Sequence, residues 1–159
     1  MLASLLFLLA AAEPLTTVAS VDLARYAGTW YEAARTPNWF QKKCVGDVRA
    51  TYTQEGPEKV RVVNECREAN GKTSTAKGSA KVGGSTAKLK VTFFWLFYGD
   101  YWVLELDPEY RWVVVGEPGR KYLWILTREQ NPPDELVQRL TELAAKKGYD
   151  VSKLVQTPR

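Results

Sequence analysis

The side chains that most often carry chemistry are scarce in this chain, and the scarcity narrows its function. There is no histidine among the 159 residues. Without an imidazole there is no Ser-His-Asp triad, no Cys-His hydrolase pair and no zinc site built on histidine. Two cysteines, Cys44 and Cys66, cannot supply a four-cysteine zinc site or an iron–sulfur cluster. No metal site and no cofactor is therefore expected. Two carboxylates, Glu32 and Glu105, fall within segments that read as strands. A general acid or base needs a positioned partner. Neither residue has one evident in the sequence, so both read as solvent-facing or rim groups. The chain is not expected to be an enzyme.

Large amphipathic rings, by contrast, are abundant: six Trp and eight Tyr. In one small domain they imply either a thick core or an interior lined for a ligand. The net charge of +4 is small and evenly spread, which argues against nucleic acid as a partner. A mild positive balance of this kind favours anionic ligands or membrane surfaces.

Residues 1–20 read as a leader ahead of a single domain at 21–159. The run from Leu2 to Ala12 has the length of a secretory apolar segment and is too short to span a bilayer. Small-residue endings occur at Ala10-Ala11-Ala12 and at Val18-Ala19-Ser20. No cysteine precedes Cys44, so lipidation of an N-terminal cysteine is not expected. The product reads as exported, either periplasmic or secreted, with association with the outer membrane left open. In such a compartment the even pair Cys44 and Cys66 reads as a disulfide. In a simple hairpin Cys66 faces Val48, so the bond requires the chain to curl back near Gly46.

The elements that must hold these groups follow from periodicity. From Val21 onward the dominant period is two, the mark of half-buried strands. Strands are predicted at 28–35, 45–54, 59–67, 73–82, 87–94, 101–106, 112–116 and 122–127. Turn residues separate them, among them Gly56-Pro57, Asn70-Gly71, Gly83-Gly84 and Pro118-Gly119. Eight strands with short links and no crossover helices describe an antiparallel up-and-down barrel, an all-β fold without free edges. On the fourth strand Ala76, Gly78, Ala80 and Val82 share one face. So small a wall leaves volume inside a barrel. One helix follows. Asn131 is its predicted cap and Pro132 its first residue, and Gly148 ends it. Leu136, Val137, Leu140, Leu143 and Ala144 form one apolar stripe that should pack on the outer wall.

The opening Gly28-Thr29-Trp30-Tyr31-Glu32 resembles the first signature of the lipocalins. Gly99-Asp100-Tyr101 resembles the second signature, and 122–128, ending in Arg128, the third. Gly148-Tyr149-Asp150-Val151-Ser152-Lys153 is similar to the bacterial Blc and apolipoprotein D branch. The resemblance implies an eight-stranded calyx with the helix outside. Gly28, Trp30 and Arg128 would form its floor, the guanidinium lying over the indole as a cation–π contact.

Parity counted upward from Arg128 then places Leu126, Trp124 and Tyr122 on the inner wall, with Val91 and Phe93 on the fifth strand. Trp39 and Phe40 fall at the open mouth, and Tyr101 and Trp112 are also expected inside. Tyr52, Tyr101 and Tyr122 could offer hydroxyls to a headgroup. The implied partner is a small hydrophobic ligand, a fatty acid or lysophospholipid, carried by a monomer or weak homodimer for maintenance of the cell envelope. An alternative role is contact with a protein or membrane through the aromatic run Phe94-Trp95-Leu96-Phe97-Tyr98.

Overall fold

The computed structural model describes residues 13–93 and 99–159. The aromatic run 94–98 and the whole apolar segment 2–12 lie outside the described residues.

Eight antiparallel strands close on themselves. They are β1 (Gly28–Arg35), β2 (Cys44–Gln54), β3 (Lys59–Glu68), β4 (Thr73–Ser85), β5 (Lys88–Thr92), β6 (Gly99–Leu106), β7 (Trp112–Gly116) and β8 (Leu123–Thr127). Each pairs with its successor, and β1 pairs with both β8 and β2, which completes the barrel. A short ninth strand, β9 (Val155–Gln156), pairs with the upper end of β1. A one-turn helix, α1 (Leu23–Tyr26), enters the lower end. The Asp22 carboxylate caps it by accepting from the backbone N–H groups of Ala24 and Arg25.

Alternation on the strands sorts the apolar side chains into two cores. Trp30, Ala50, Tyr52, Val62, Val113 and Val115 belong to the interior. Ala33, Ala34, Leu104, Val114, Leu123 and Ile125 face outward and are covered by Val137, Leu140 and Ala144 of α2 (Asp134–Lys146). The helix thus lies on the outer wall, as its stripe predicts.

Its start differs from the prediction. Asn131 does not cap it and Pro132 is not helical; Pro133 stands at the boundary with extended backbone and no side-chain cap. The cause is the second proline, which disfavours helical geometry in the residue before it. Asn131 instead accepts a hydrogen bond from Arg159 at 3.0 Å. The other end is as expected. Gly148 has φ of 90°, and Tyr149 N–H reaches back to the Ala144 carbonyl at 3.2 Å.

Residues just before Val21 also join the fold. Val18 packs on the interior core and its N–H donates to the Val103 carbonyl at 3.0 Å, while Leu15 packs on the outer core.

Candidate functional site

The closed end is built around one ring. Trp30 is fully buried, its indole Nε1 donating to the Tyr26 carbonyl at 2.8 Å. The Arg128 guanidinium lies 3.9 Å from the ring centroid. Its nitrogens also donate to the carbonyls of Tyr110, Thr29, Arg25 and Tyr26. A guanidinium matches this task because its planar fork can stack and donate at once. Gly28 makes the approach possible: its φ is 101°, and a Cβ there would stand 3.1 Å from Arg128 Nη1.

Above this floor is a narrow recess. Leu23, Val60, Ala80, Leu89 and Val91 supply its apolar wall. Its polar atoms are the hydroxyls of Tyr26, Tyr52 and Tyr101, which also line it. Tyr26 and Tyr101 lie 2.6 Å apart oxygen to oxygen, and Tyr52 and Tyr101 3.0 Å. Burial pushes the Tyr52 phenol up to about 12, and raises those of Tyr26 and Tyr101 well above the ordinary value. All three are neutral at physiological pH.

The open end is held by side chains. Trp39–Gln41 form a single 3₁₀ turn between β1 and β2, capped by the Asn38 side-chain Oδ1, which accepts from Gln41 N–H at 2.9 Å. The Phe40 ring meets Tyr122 at 5.5 Å and Trp124 at 6.2 Å between centroids, and Tyr122 stacks on Trp124. Trp124 Nε1 donates to Gln41 Oε1 at 3.0 Å, and Gln41 Nε2 donates to Glu32 at 2.8 Å. Glu32 also accepts from Arg35 at 2.7 Å and from the Thr157 hydroxyl at 2.6 Å. The carboxylate is only 4% exposed, so these donors are what make its burial tolerable. Glu32 is therefore not the unpartnered rim residue expected from sequence. Two of its partners, Arg35 and Gln41, are near in the chain, but Thr157 arrives from the far end on the β9 tail. Glu105 fits the expectation better, half-buried on the outside and 3.3 Å from Lys147.

The cysteines close the same end. Cys44 and Cys66 are bonded, with Cα atoms 5.5 Å apart. The required curl is present. Pairing of β2 with β3 shifts register between Cys44 and Gly46 and again between Gly46 and Arg49. Asp47 takes φ of 49° within that bulged stretch.

A family model, described as a lipocalin-like domain, matches residues 21–159. The chain is a lipocalin. It is 41% identical over 157 residues to temperature-induced lipocalin-1 of Arabidopsis thaliana, covering 92% of this chain and 84% of the relative. Outer membrane lipoprotein Blc of Citrobacter freundii is 42% identical over 146 residues, covering 88% and 80%. Apolipoprotein D of Macaca fascicularis is 34% identical, covering 86% and 76%. Among solved structures, insecticyanin from the tobacco hornworm Manduca sexta superposes with a TM-score of 0.74 over 94% of this chain and 86% of that one, at 19% identity. That likeness speaks to the fold.

Within this lipocalin the predicted lining residues separate into three groups. Val91, Phe93, Tyr101 and Trp124 pack against the interior core. Phe93 leans over β4 where the fourth strand carries Gly78, so that a Cβ there would stand 2.9 Å from the Phe93 ring. Trp39, Phe40 and Tyr122 gather at the mouth, with Trp39 71% exposed and edge-on to Phe40. Trp112 is a correction: it lies on the outer face, packed with the helix cluster and 5.9 Å from the Arg139 guanidinium. Val113 and Val115 take the inward positions on β7, and a period of two then turns Trp112 outward. The hydroxyls of Tyr52 and Tyr101 also lie deep in the barrel, hydrogen-bonded directly to each other, not at the mouth beside Tyr122.

Sequence reasoning passed over Tyr26 and Gln41 as site residues. Tyr26 sits on a helix of four residues, too short to show a period. Gln41 carries no signal at all until the turn folds it under Trp124.

Proposed function

We propose that this lipocalin binds and carries an elongated lipid, a fatty acid or lysophospholipid, as an exported protein serving the cell envelope. The observation that carries the reading is the uncharged recess inside the barrel, with the aromatic side chains Phe40, Tyr122 and Trp124 grouped above it. Its mechanism is transfer of apolar surface from water to that interior, at about 0.8 kcal/mol per buried methylene. About twelve methylenes would give a gross gain near 10 kcal/mol, reduced by the ordering costs of association. No catalytic step is assigned, since the buried carboxylate Glu32 is engaged by three donors.

Export is supported by the disulfide, which belongs in an oxidising compartment. The packing of Leu15 and Val18 favours removal of the leader at Ala12 over removal at Ser20. Trp39 and Phe40, exposed beside Lys42 and Lys43, support a second role for the mouth, peripheral contact with an anionic membrane surface.

The deciding experiment is native mass spectrometry of the exported protein with extraction of co-purifying lipid. A bound fatty acid or lysophospholipid, lost on Trp124→Lys or Phe93→Lys, is the expected result. An empty protein whose tryptophans do not respond to acyl chains would overturn the reading.

A further inference from the structure

The three tyrosines at the bottom of the recess carry an imbalance that can be counted. Tyr26, Tyr101 and Tyr52 have three hydroxyl protons, and the distances allow two hydrogen bonds, both through the Tyr101 oxygen. Whichever way each bond points, one O–H proton remains. Among the described residues no other hydrogen bond is made to any of the three oxygens. Tyr26 and Tyr52 are buried, at 3% and 7% exposure. A phenol proton left over in such surroundings is a donor in search of an acceptor.

The surroundings say what kind of acceptor fits. The apolar wall of Leu23, Val60, Ala80, Leu89 and Val91 brings no cation to the recess. The nearest guanidinium, Arg128, lies over Trp30 and is occupied by four backbone carbonyls. The Glu32 charge acts on Tyr52 in the sense that opposes a second negative charge. An anionic oxygen would therefore be desolvated there with only the Arg128 charge, which acts on Tyr26, in its favour, whereas a neutral oxygen costs far less to desolvate and gains the waiting proton.

We propose that the floor of the calyx is a specificity site for a neutral oxygen, a hydroxyl or keto group, carried on the buried end of an elongated lipid, which accepts the spare proton of the Tyr26–Tyr101–Tyr52 chain. The inference rests on the lipid-carrier reading and sharpens it. A plain apolar pocket bottom discriminates against an oxygenated chain end, because the oxygen loses water and gains nothing. This one reverses the preference.

The test titrates the intact protein with palmitic acid and with ω-hydroxypalmitic acid, following tryptophan fluorescence. The hydroxylated chain is expected to bind about tenfold more tightly, the size of one hydrogen bond to an otherwise unpaired group. Removing one hydroxyl would not suffice, since any two remaining tyrosines still leave a proton over. The informative variant replaces all three, Tyr26→Phe, Tyr52→Phe and Tyr101→Phe, and should lose the preference, the ratio of its affinities for the two chains falling to one or below whatever its affinity for palmitic acid. A second measurement needs no variant. The carbonyl stretch of a chain ending in a methyl ketone should fall on binding to the native protein, as for a hydrogen-bonded ketone. Equal or weaker binding of the hydroxylated chain, a preference that survives the triple substitution, or a carbonyl stretch at its hydrocarbon-solvent position would each overturn the proposal. If palmitic acid binds and the hydroxyl confers nothing, the carrier reading stands and this one falls. If neither chain binds, the carrier reading itself has failed.

Discussion

The two ends of the barrel each centre on a tryptophan, yet they hold it by different means. At the floor Trp30 is fully buried, and Arg128 locks it with donors aimed at backbone carbonyls. At the mouth Trp124 is half-buried and hydrogen-bonded to Gln41, whose own side chain hangs from Asn38 and Glu32. Backbone carbonyls are fixed by the sheet, whereas a side-chain network can rearrange when one member moves. The floor is thus held by the sheet itself and the mouth by side chains. Both satisfy a desolvated polar group, the floor through backbone carbonyls and the mouth through a side-chain network.

Substitutions at the two tryptophans should separate these roles. Trp30→Ala is expected to lose about 3–5 kcal/mol in urea unfolding, the cost of a large cavity in a closed core. Trp124→Ala should lose less than half of that while weakening acyl-chain binding at least tenfold. Equal destabilisation by both would erase the distinction between the ends.

The disulfide tests whether the mouth has a rigid edge of its own. Replacing Cys44 and Cys66 by serine should lower stability by about 3 kcal/mol, with the change in hydrogen exchange concentrated in the bulged stretch of β2 around Gly46. Exchange that rises equally at the floor would show that the bridge serves the whole barrel.

Alkali probes the deep end. A phenol whose pKa is higher folded than unfolded stabilises the fold below its unfolded value and ceases to do so as pH rises through the folded value. For Tyr52 the window runs from about 10 to about 12, with a loss on the order of 2 kcal/mol. Tyr26 and Tyr101 are shifted in the same direction. Stability measured through this window should fall more steeply in the native protein than in Tyr52→Phe.

The smallest effect belongs to the exposed rim. Trp39→Ser should change stability by no more than about 0.5 kcal/mol and should reduce co-sedimentation with anionic vesicles. Unchanged sedimentation would remove the membrane-contact role from this turn.

Much of the molecule is legible without coordinates. Alternation in Leu89, Val91 and Phe93, and in Val48, Ala50 and Tyr52, marks strands and their inner faces, because a strand turns each side chain opposite to the last. The Gly28–Trp30 opening and Arg128 mark the floor, and the stripe from Leu136 to Ala144 marks the outer helix. These are local signals or matches of residue type. Trp112 was not legible, because β7 is apolar on both faces: one side meets the interior and the other meets the helix.

Only the closed barrel decides the rest. Glu32 becomes a buried, satisfied carboxylate because Thr157 arrives from the other end of the chain. Cys44 reaches Cys66 because two register shifts curl β2. Tyr26, Tyr52 and Tyr101 share protons because a four-residue helix and two strands converge on one recess. Sequence determines which face each strand offers, since that depends on neighbours in the chain. Which polar groups meet inside is settled by strand register and closure, because hydrogen-bond partners far apart in sequence are brought together by the fold alone.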